Sequence, residues 1–217
     1  MISNFLQRSF TSLLLLILIF IAFEKKIILI TILIVTAFFL FYEFYKILNK
    51  IFLSNKKKLF FSYILTTIYI IFFTCLVCLY LLTENEKNEL NMIYILLICI
   101  STDIGGYIFG KTFKGKRLTK ISPNKTYSGM CGSFLASIIV YFFFNHLFSF
   151  DLKYLYLSLI ISMISQSGDL FISFLKRKAK LKDTGNLLPG HGGILDRIDG
   201  IIFAAPFSIL LFIYLKI

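Results

Sequence analysis

The chain has 217 residues, of which 58% are hydrophobic, with 26 Phe, 12 Tyr, no Trp and a formal net charge of +12; its mean hydropathy is +0.85. That balance excludes a soluble globular domain and is the composition of a polytopic membrane protein. The basic residues lie in loops between apolar runs, so anionic headgroups and anionic substrates are the expected partners, and nucleic acid is not.

The first apolar run, residues 10–23, follows Arg8 and has the outline of a signal peptide. No small-residue cleavage site follows it, and Glu24-Lys25-Lys26 leads straight into a second run, so a retained helical hairpin is expected. Further runs cover 27–48, 59–82, 91–109, 129–148, 154–175 and 200–215. A helix needs about 20 residues to cross a bilayer and is the only spanning form this pattern supports. The expected fold is therefore all-α, a polytopic integral membrane protein with about seven transmembrane helices and a polar site facing the cytoplasm. Cys75 and Cys78 have the spacing of a metal or redox pair, but within an apolar span and without further ligands nearby they read as packing residues, as do Cys99 and Cys131. No disulfide framework is expected.

Assigning alternate loops to opposite sides places 18 of the 23 Lys and Arg on one side. By the positive-inside rule that side is the cytoplasm, with the N-terminus in and the C-terminus out. Both Gly-rich polar segments, 102–132 and 165–200, then fall on the cytoplasmic side, where nucleotides are.

The second of these carries four of the eleven acids, Asp169, Asp183, Asp196 and Asp199, among glycines and Lys-Arg pairs. Such a mixture suits phosphates and a hard metal ion. Asp103 and Asp169 sit in or at the end of apolar spans, where an unpaired carboxylate costs a few kcal/mol and so needs a partner. If residues 165–178 are helical, Asp169, Ser173, Lys176 and Arg177 share one face; the plainer reading is an Asp neutralised by a Lys from another helix. Downstream, Lys182-Asp183 precedes Pro189-Gly190-His191-Gly192-Gly193, whose glycines would let backbone N–H groups approach an anion or would merely form a tight turn. His191 could contact phosphate or move a proton, or could be a hydrogen-bonded turn residue; zinc is not expected, with no Cys near it.

Asp196-Arg197-Ile198-Asp199 is expected to open the last span, with Asp196 and Asp199 at i, i+3 able to help hold Mg2+ while Arg197 neutralises phosphate. Capping of that helix is the alternative for Asp199. In the earlier segment, the stretch Ser122-Pro123-Asn124-Lys125-Thr126 offers hydroxyls and a cation to a triphosphate, although it lacks the strand and the Gly-Lys-Ser/Thr ending of a P-loop.

The spaced pattern Ser173, Lys176-Arg177, Lys182-Asp183, Gly185, Leu188-Pro189, His191-Gly192-Gly193, Asp196-Arg197 and Asp199 resembles the signature of the CDP-diacylglycerol synthase (phosphatidate cytidylyltransferase) family. Gln7-Arg8, Glu43-Phe44-Tyr45, residues 103–110 and residues 122–129 extend the resemblance, while residues 50–90 match in hydrophobicity alone. The chain reads as shorter than the family pattern by one or two spans.

The resemblance implies one membrane-embedded domain over 1–217, with 1–90 as N-terminal spans and 91–217 as the catalytic half. Its reaction joins CTP to phosphatidate, giving CDP-diacylglycerol and pyrophosphate, in a bacterial-type inner membrane. It implies Mg2+ at Asp169 and Asp196, with room for a monovalent cation such as K+, and leaves a homodimer open. Asp199, Lys176, Arg177, Lys182, His191 and Arg197 are implied around the phosphates, with Ser173, Asp103, Ser122, Lys125 and Thr126 on the substrate side.

Departures from the family pattern fall at Ile172, Asn124, Ser128, Tyr127 and Ile104-Gly105-Gly106. They bear on details of the nucleotide pocket rather than on the proposed metal ligands. Two other readings compete: a CTP-dependent cytidylyltransferase or kinase acting on a polyprenyl or ether lipid, and a small cation transporter using Asp103 and Asp169. Against the transporter, the polar residues gather at one face and no internal repeat is evident.

Overall fold

The structure is a computed structural model that describes residues 25–83, 85–119, 121–185, 187 and 192–216. Every named element among them is helical: α1 Lys26–Phe52, α2 Lys56–Leu82, α3 Glu86–Phe113, α4 Tyr127–Phe148, α5 Leu152–Lys178, α6 Leu195–Ile198 and α7 Ile201–Leu215. Helices α1 to α5 are long and apolar enough to cross a membrane. Six of the seven apolar runs thus coincide with helices, and the first, residues 10–23, lies outside the described residues. Helix α7 has 15 residues, about 22 Å at 1.5 Å per residue, which is short of a full hydrocarbon core.

The residues divide into two compact units, one formed by the chain up to Asn85 with Leu175–Ile198, the other by Glu86–Phe174 with Asp199–Ile217. In the first, α1 and α2 form a helical hairpin. Asn55 starts α2 by accepting the Lys58 amide on its side chain at 3.1 Å, the capping role that suits a short polar residue. Tyr45 of α1 stacks on Tyr63 of α2 with centroids 4.9 Å apart. Leu40, Phe44 and Ile47 of α1 are buried, while Phe38, Phe61 and Leu65 stand exposed, an outward apolar surface that lipid rather than water accommodates.

In the second unit, α3 and α4 pack closely because their contact is lined by small residues. A Cβ on Gly105 would lie 2.6 Å from both the Ala136 Cβ and the Gly132 carbonyl oxygen, and one on Gly132 would strike the Phe109 ring. Close backbone approach through small residues is how helices associate in lipid, where apolar burial alone drives little. Polar groups in this interior pair with one another: Thr102 Oγ1 donates to Ser162 Oγ at 2.9 Å, Ser133 Oγ to the Thr102 carbonyl at 2.8 Å, and the Tyr94 hydroxyl to the Tyr154 carbonyl at 2.7 Å. Thr126 caps α4, its hydroxyl accepting the Gly129 amide at 3.1 Å.

One expectation is corrected. The 196–199 stretch does not open the last span as a continuous helix. Helix α6 ends at Ile198, and after a turn at Asp199-Gly200 α7 begins at Ile201. The N-cap of α7 is Gly200, which makes no side-chain cap. Its place there is steric, since a Cβ on Gly200 would collide with the Ser165 hydroxyl. Asp199 Oδ1 takes the Gly200 amide at 2.9 Å.

Candidate active site

Helix α5 spans 152–178 without a break, so Asp169, Ser173, Lys176 and Arg177 do lie on one helix. In the second unit a cleft of about 310 Å³ is lined by Asp103 and Tyr107 of α3, by Ser122, Lys125 and Thr126, and by Gln166 and Asp169 of α5. Lys125 forms an ion pair with Asp169 Oδ2, the two side chains being 27% and 23% exposed. Ser173 donates to Asp169 Oδ1 at 3.2 Å, and Gln166 Nε2 donates to Ser162 Oγ at 3.2 Å. The plainer expectation for Asp169, neutralisation by a Lys from another helix, holds in charge but not in place: the partner, Lys125, stands in the non-helical segment before α4. Asp103, Ser122, Lys125, Thr126 and Asp169, chosen from two distant stretches of sequence, share this one cleft.

The segment before α4 is folded back by main-chain bonds. The Leu118 amide donates to the Lys125 carbonyl at 2.7 Å and the Tyr127 amide to the Lys116 carbonyl at 3.1 Å. Lys114 and Gly115 carry φ of 53° and 111°, and the turn they make brings the Lys114 carbonyl to the Ser128 hydroxyl.

In the first unit the residues gather around Asp196. Lys176 Nζ meets Asp196 Oδ1 at 2.7 Å, with side chains 13% and 7% exposed. Asp196 Oδ2 accepts the Thr184 amide at 2.8 Å, the Thr184 hydroxyl at 3.0 Å and the Gly193 amide at 3.1 Å. Burial opposes ionisation of Asp196, but the Lys176 ammonium and the Thr184 and Gly193 amides outweigh it and hold the carboxyl below the usual carboxylate range.

Beside it lies a residue that sequence pattern did not single out for chemistry. Glu43 of α1 is fully buried. Its Oε2 accepts the Thr184 hydroxyl at 2.6 Å and the Leu195 amide at 2.9 Å, and its Oε1 accepts the Ile194 amide at 2.9 Å. The signal was present in the sequence, because Glu43 is the lone acid of an otherwise apolar span and such residues are functional by default.

Other expected site residues fall less centrally. Arg177 Nη1 donates to the Leu181 carbonyl at 3.4 Å, beyond the end of its own helix. Lys182 and Arg197 are exposed. His191 lies outside the described residues.

Among the described residues no three His, Cys, Asp or Glu side chains cluster closely enough to hold a metal ion. The donor chemistry nonetheless fits a hard cation. Asp169 and Asp196 each already hold a cationic ammonium, and Asp169 adds the neighbouring Ser173 hydroxyl, all oxygen donors of the kind Mg2+ prefers.

Fold and site together define an α-helical polytopic membrane protein with two lysine-paired carboxylates set in polar, Gly-rich segments. A model of the cytidylyltransferase family matches residues 2–215, and the chain belongs to that family. It is 42% identical over 144 residues to the phosphatidate cytidylyltransferase of Rickettsia typhi, covering 62% of this chain and 63% of that protein. It is 39% identical over 135 residues to the phosphatidate cytidylyltransferase of Bacillus subtilis, covering 59% and 50%, and 42% identical over 135 residues to that of Staphylococcus aureus, covering 60% and 52%. The chain thus spans about half to three fifths of the length of the curated relatives it matches. The resemblance carried by the 173–199 pattern agrees with these names.

Proposed function

We propose that the chain transfers CMP from CTP to phosphatidate, giving CDP-diacylglycerol and pyrophosphate, at the cytoplasmic face of a bacterial inner membrane. The observation that carries the reading is the cleft that gathers Asp103, Ser122, Lys125, Thr126 and Asp169, in a chain of the cytidylyltransferase family.

In the reaction, an oxygen of the phosphatidate phosphate forms a bond to the α phosphorus of CTP. The bond from that phosphorus to the β-phosphate oxygen breaks in line, and pyrophosphate leaves with the electron pair. Neither a covalent intermediate nor a catalytic base is required, since the attacking phosphate oxygen is already anionic. The chain's contribution is to bring two polyanions together. Lys125 is poised to exchange its carboxylate partner for a phosphate oxygen, while the Thr126 and Ser122 hydroxyls can donate to the triphosphate. Lys176, Arg177, Lys182, His191 and Arg197 would supply charge and donors to the phosphates.

Asp169 and Asp196 are the residues proposed to bind Mg2+, and a monovalent cation such as K+ is proposed to accompany it. When bound, Mg2+ would screen the repulsion between the two substrates and stabilise the leaving pyrophosphate. Asp199 would complete the acidic set.

The test is incubation of the detergent-solubilised protein with labelled CTP, phosphatidate and Mg2+, following pyrophosphate and CDP-lipid together. Equal release of both, abolished by EDTA, is the expected result. Release of CDP with a phosphorylated lipid would instead indicate a kinase, and absence of turnover with phosphatidate would remove this substrate.

A further inference from the structure

Glu43 does no work in the reaction just described, yet its carboxylate is fully buried and held by hydrogen bonds on both oxygens. Its partners are donors: the Ile194 and Leu195 amides and the Thr184 hydroxyl. Such a cradle is an anion receptor, and Glu43 itself is the anion that fills it.

The cradle is built for contact with this one side chain. A Cβ on Gly185 would stand 2.9 Å from Glu43 Oε1, and one on Gly193 would stand 2.5 Å and 2.6 Å from its two oxygens. Only glycine at both positions lets the loop backbone close on the carboxylate.

The same loop orients Asp196. Thr184 and Gly193 give their amides to Asp196 Oδ2, while the Thr184 hydroxyl lies 2.6 Å from Glu43 and 3.0 Å from Asp196. That hydroxyl has a single proton for two carboxylate acceptors, and the shorter contact is to Glu43. We infer that Glu43 is a positioning residue: from 141 residues upstream it anchors Thr184, Ile194 and Leu195 to α1, and through Thr184 and its neighbouring amides it fixes the aim of Asp196. For its consequence on turnover this rests on the proposed cytidylyl transfer; the anchoring itself does not.

Two measurements separate these parts. Hydrogen exchange on the full-length protein in detergent reads the amides directly. In Glu43→Ala, exchange at Ile194 and Leu195 should rise about tenfold or more, the scale expected for losing a hydrogen bond to a charged acceptor, while amides of 134–141 in α4 stay slow. Thr184→Val, which keeps shape but removes the hydroxyl, should raise exchange severalfold in the same loop, and Thr184→Ser should restore it.

In turnover with CTP and phosphatidate, Glu43→Gln and Thr184→Val should lower kcat and also raise KM for CTP severalfold, with Thr184→Ser near the parent value. Mere loss of folded protein would lower kcat alone. Unchanged exchange at Ile194 and Leu195 in Glu43→Ala overturns the inference. If that variant unfolds throughout, 134–141 will exchange quickly as well, and Thr184→Val then decides: parental exchange and parental KM would sink the idea. A parent protein inactive on phosphatidate would defeat the functional reading and leave the exchange result to judge the anchoring alone.

Discussion

Asp169 and Asp196 are both aspartates paired with lysine, and they are held in opposite ways. Asp169 faces a cleft, is 23% exposed and meets Lys125, a long side chain that is itself 27% exposed; it also accepts the Ser173 hydroxyl. Asp196 is 7% exposed and is gripped by two backbone amides and a hydroxyl as well as Lys176. A carboxylate held by a mobile side chain can trade that partner for an incoming ligand at little cost. One held by main chain keeps its orientation whatever the ligand does. Two lysine-aspartate pairs in one protein can therefore serve exchange and alignment respectively.

The largest effect expected from this contrast is on turnover. Asp169→Asn and Asp196→Asn should each lower the rate of CDP-lipid formation by about a hundred- to thousandfold, the scale of losing one preorganised electrostatic contact to a reacting phosphoryl group, while membrane insertion is unaffected. Near-normal activity in either variant would remove that residue from the proposed metal site.

Stability should sharpen the contrast further. Removing Lys176 as Lys176→Met leaves Asp196 buried without its counterion and should cost about 3–5 kcal/mol. Lys125→Met uncovers a partly solvated carboxylate and should cost at most about 1 kcal/mol. Thermal denaturation in detergent compares the two, and equal losses would erase the distinction between them.

The smallest effect is on pH. Because the folded Asp196 carboxyl is depressed, the stability it contributes is complete above the unfolded carboxylate pKa and is lost as pH falls through the lower folded value. Exchange protection of the Thr184 and Gly193 amides should persist at about pH 5 and weaken only below about pH 4. Loss of protection at a higher pH would show that the amides and Lys176 do not hold the ionised form.

Much of this was legible in the sequence, because the bilayer constrains it so strongly. Runs of apolar residues near 20 long can only be helices in lipid, and so the spans over 27–175 coincide with helices α1 to α5. The cleft residues were legible for a related reason: acids, hydroxyls and lysines in an apolar chain have few uses besides polar chemistry.

What escaped was the tertiary pairing. Nothing in the local pattern says that Lys125 meets Asp169, since loop closure depends on packing. Glu43 stood out as the lone acid of its span, but its partners, two main-chain amides and a hydroxyl 141 residues away, have no signature in the local pattern. The break between α6 and α7 was hidden as well. Spacing alone makes Asp196 and Asp199 look like one helical turn, whereas α6 ends at Ile198 and a turn at Asp199-Gly200 precedes α7.

The small-residue seam between α3 and α4 also sets the mechanics of the cleft. With Gly105 against Ala136 and the Gly132 carbonyl, and Gly132 against the Phe109 ring, neither helix can roll on the other without a backbone collision. The wall that carries Asp103 is therefore closely packed. Lys125, by contrast, is carried on non-helical main chain, held by the Arg117–Thr126 β-bridge and by the bond from the Leu118 amide to its own carbonyl.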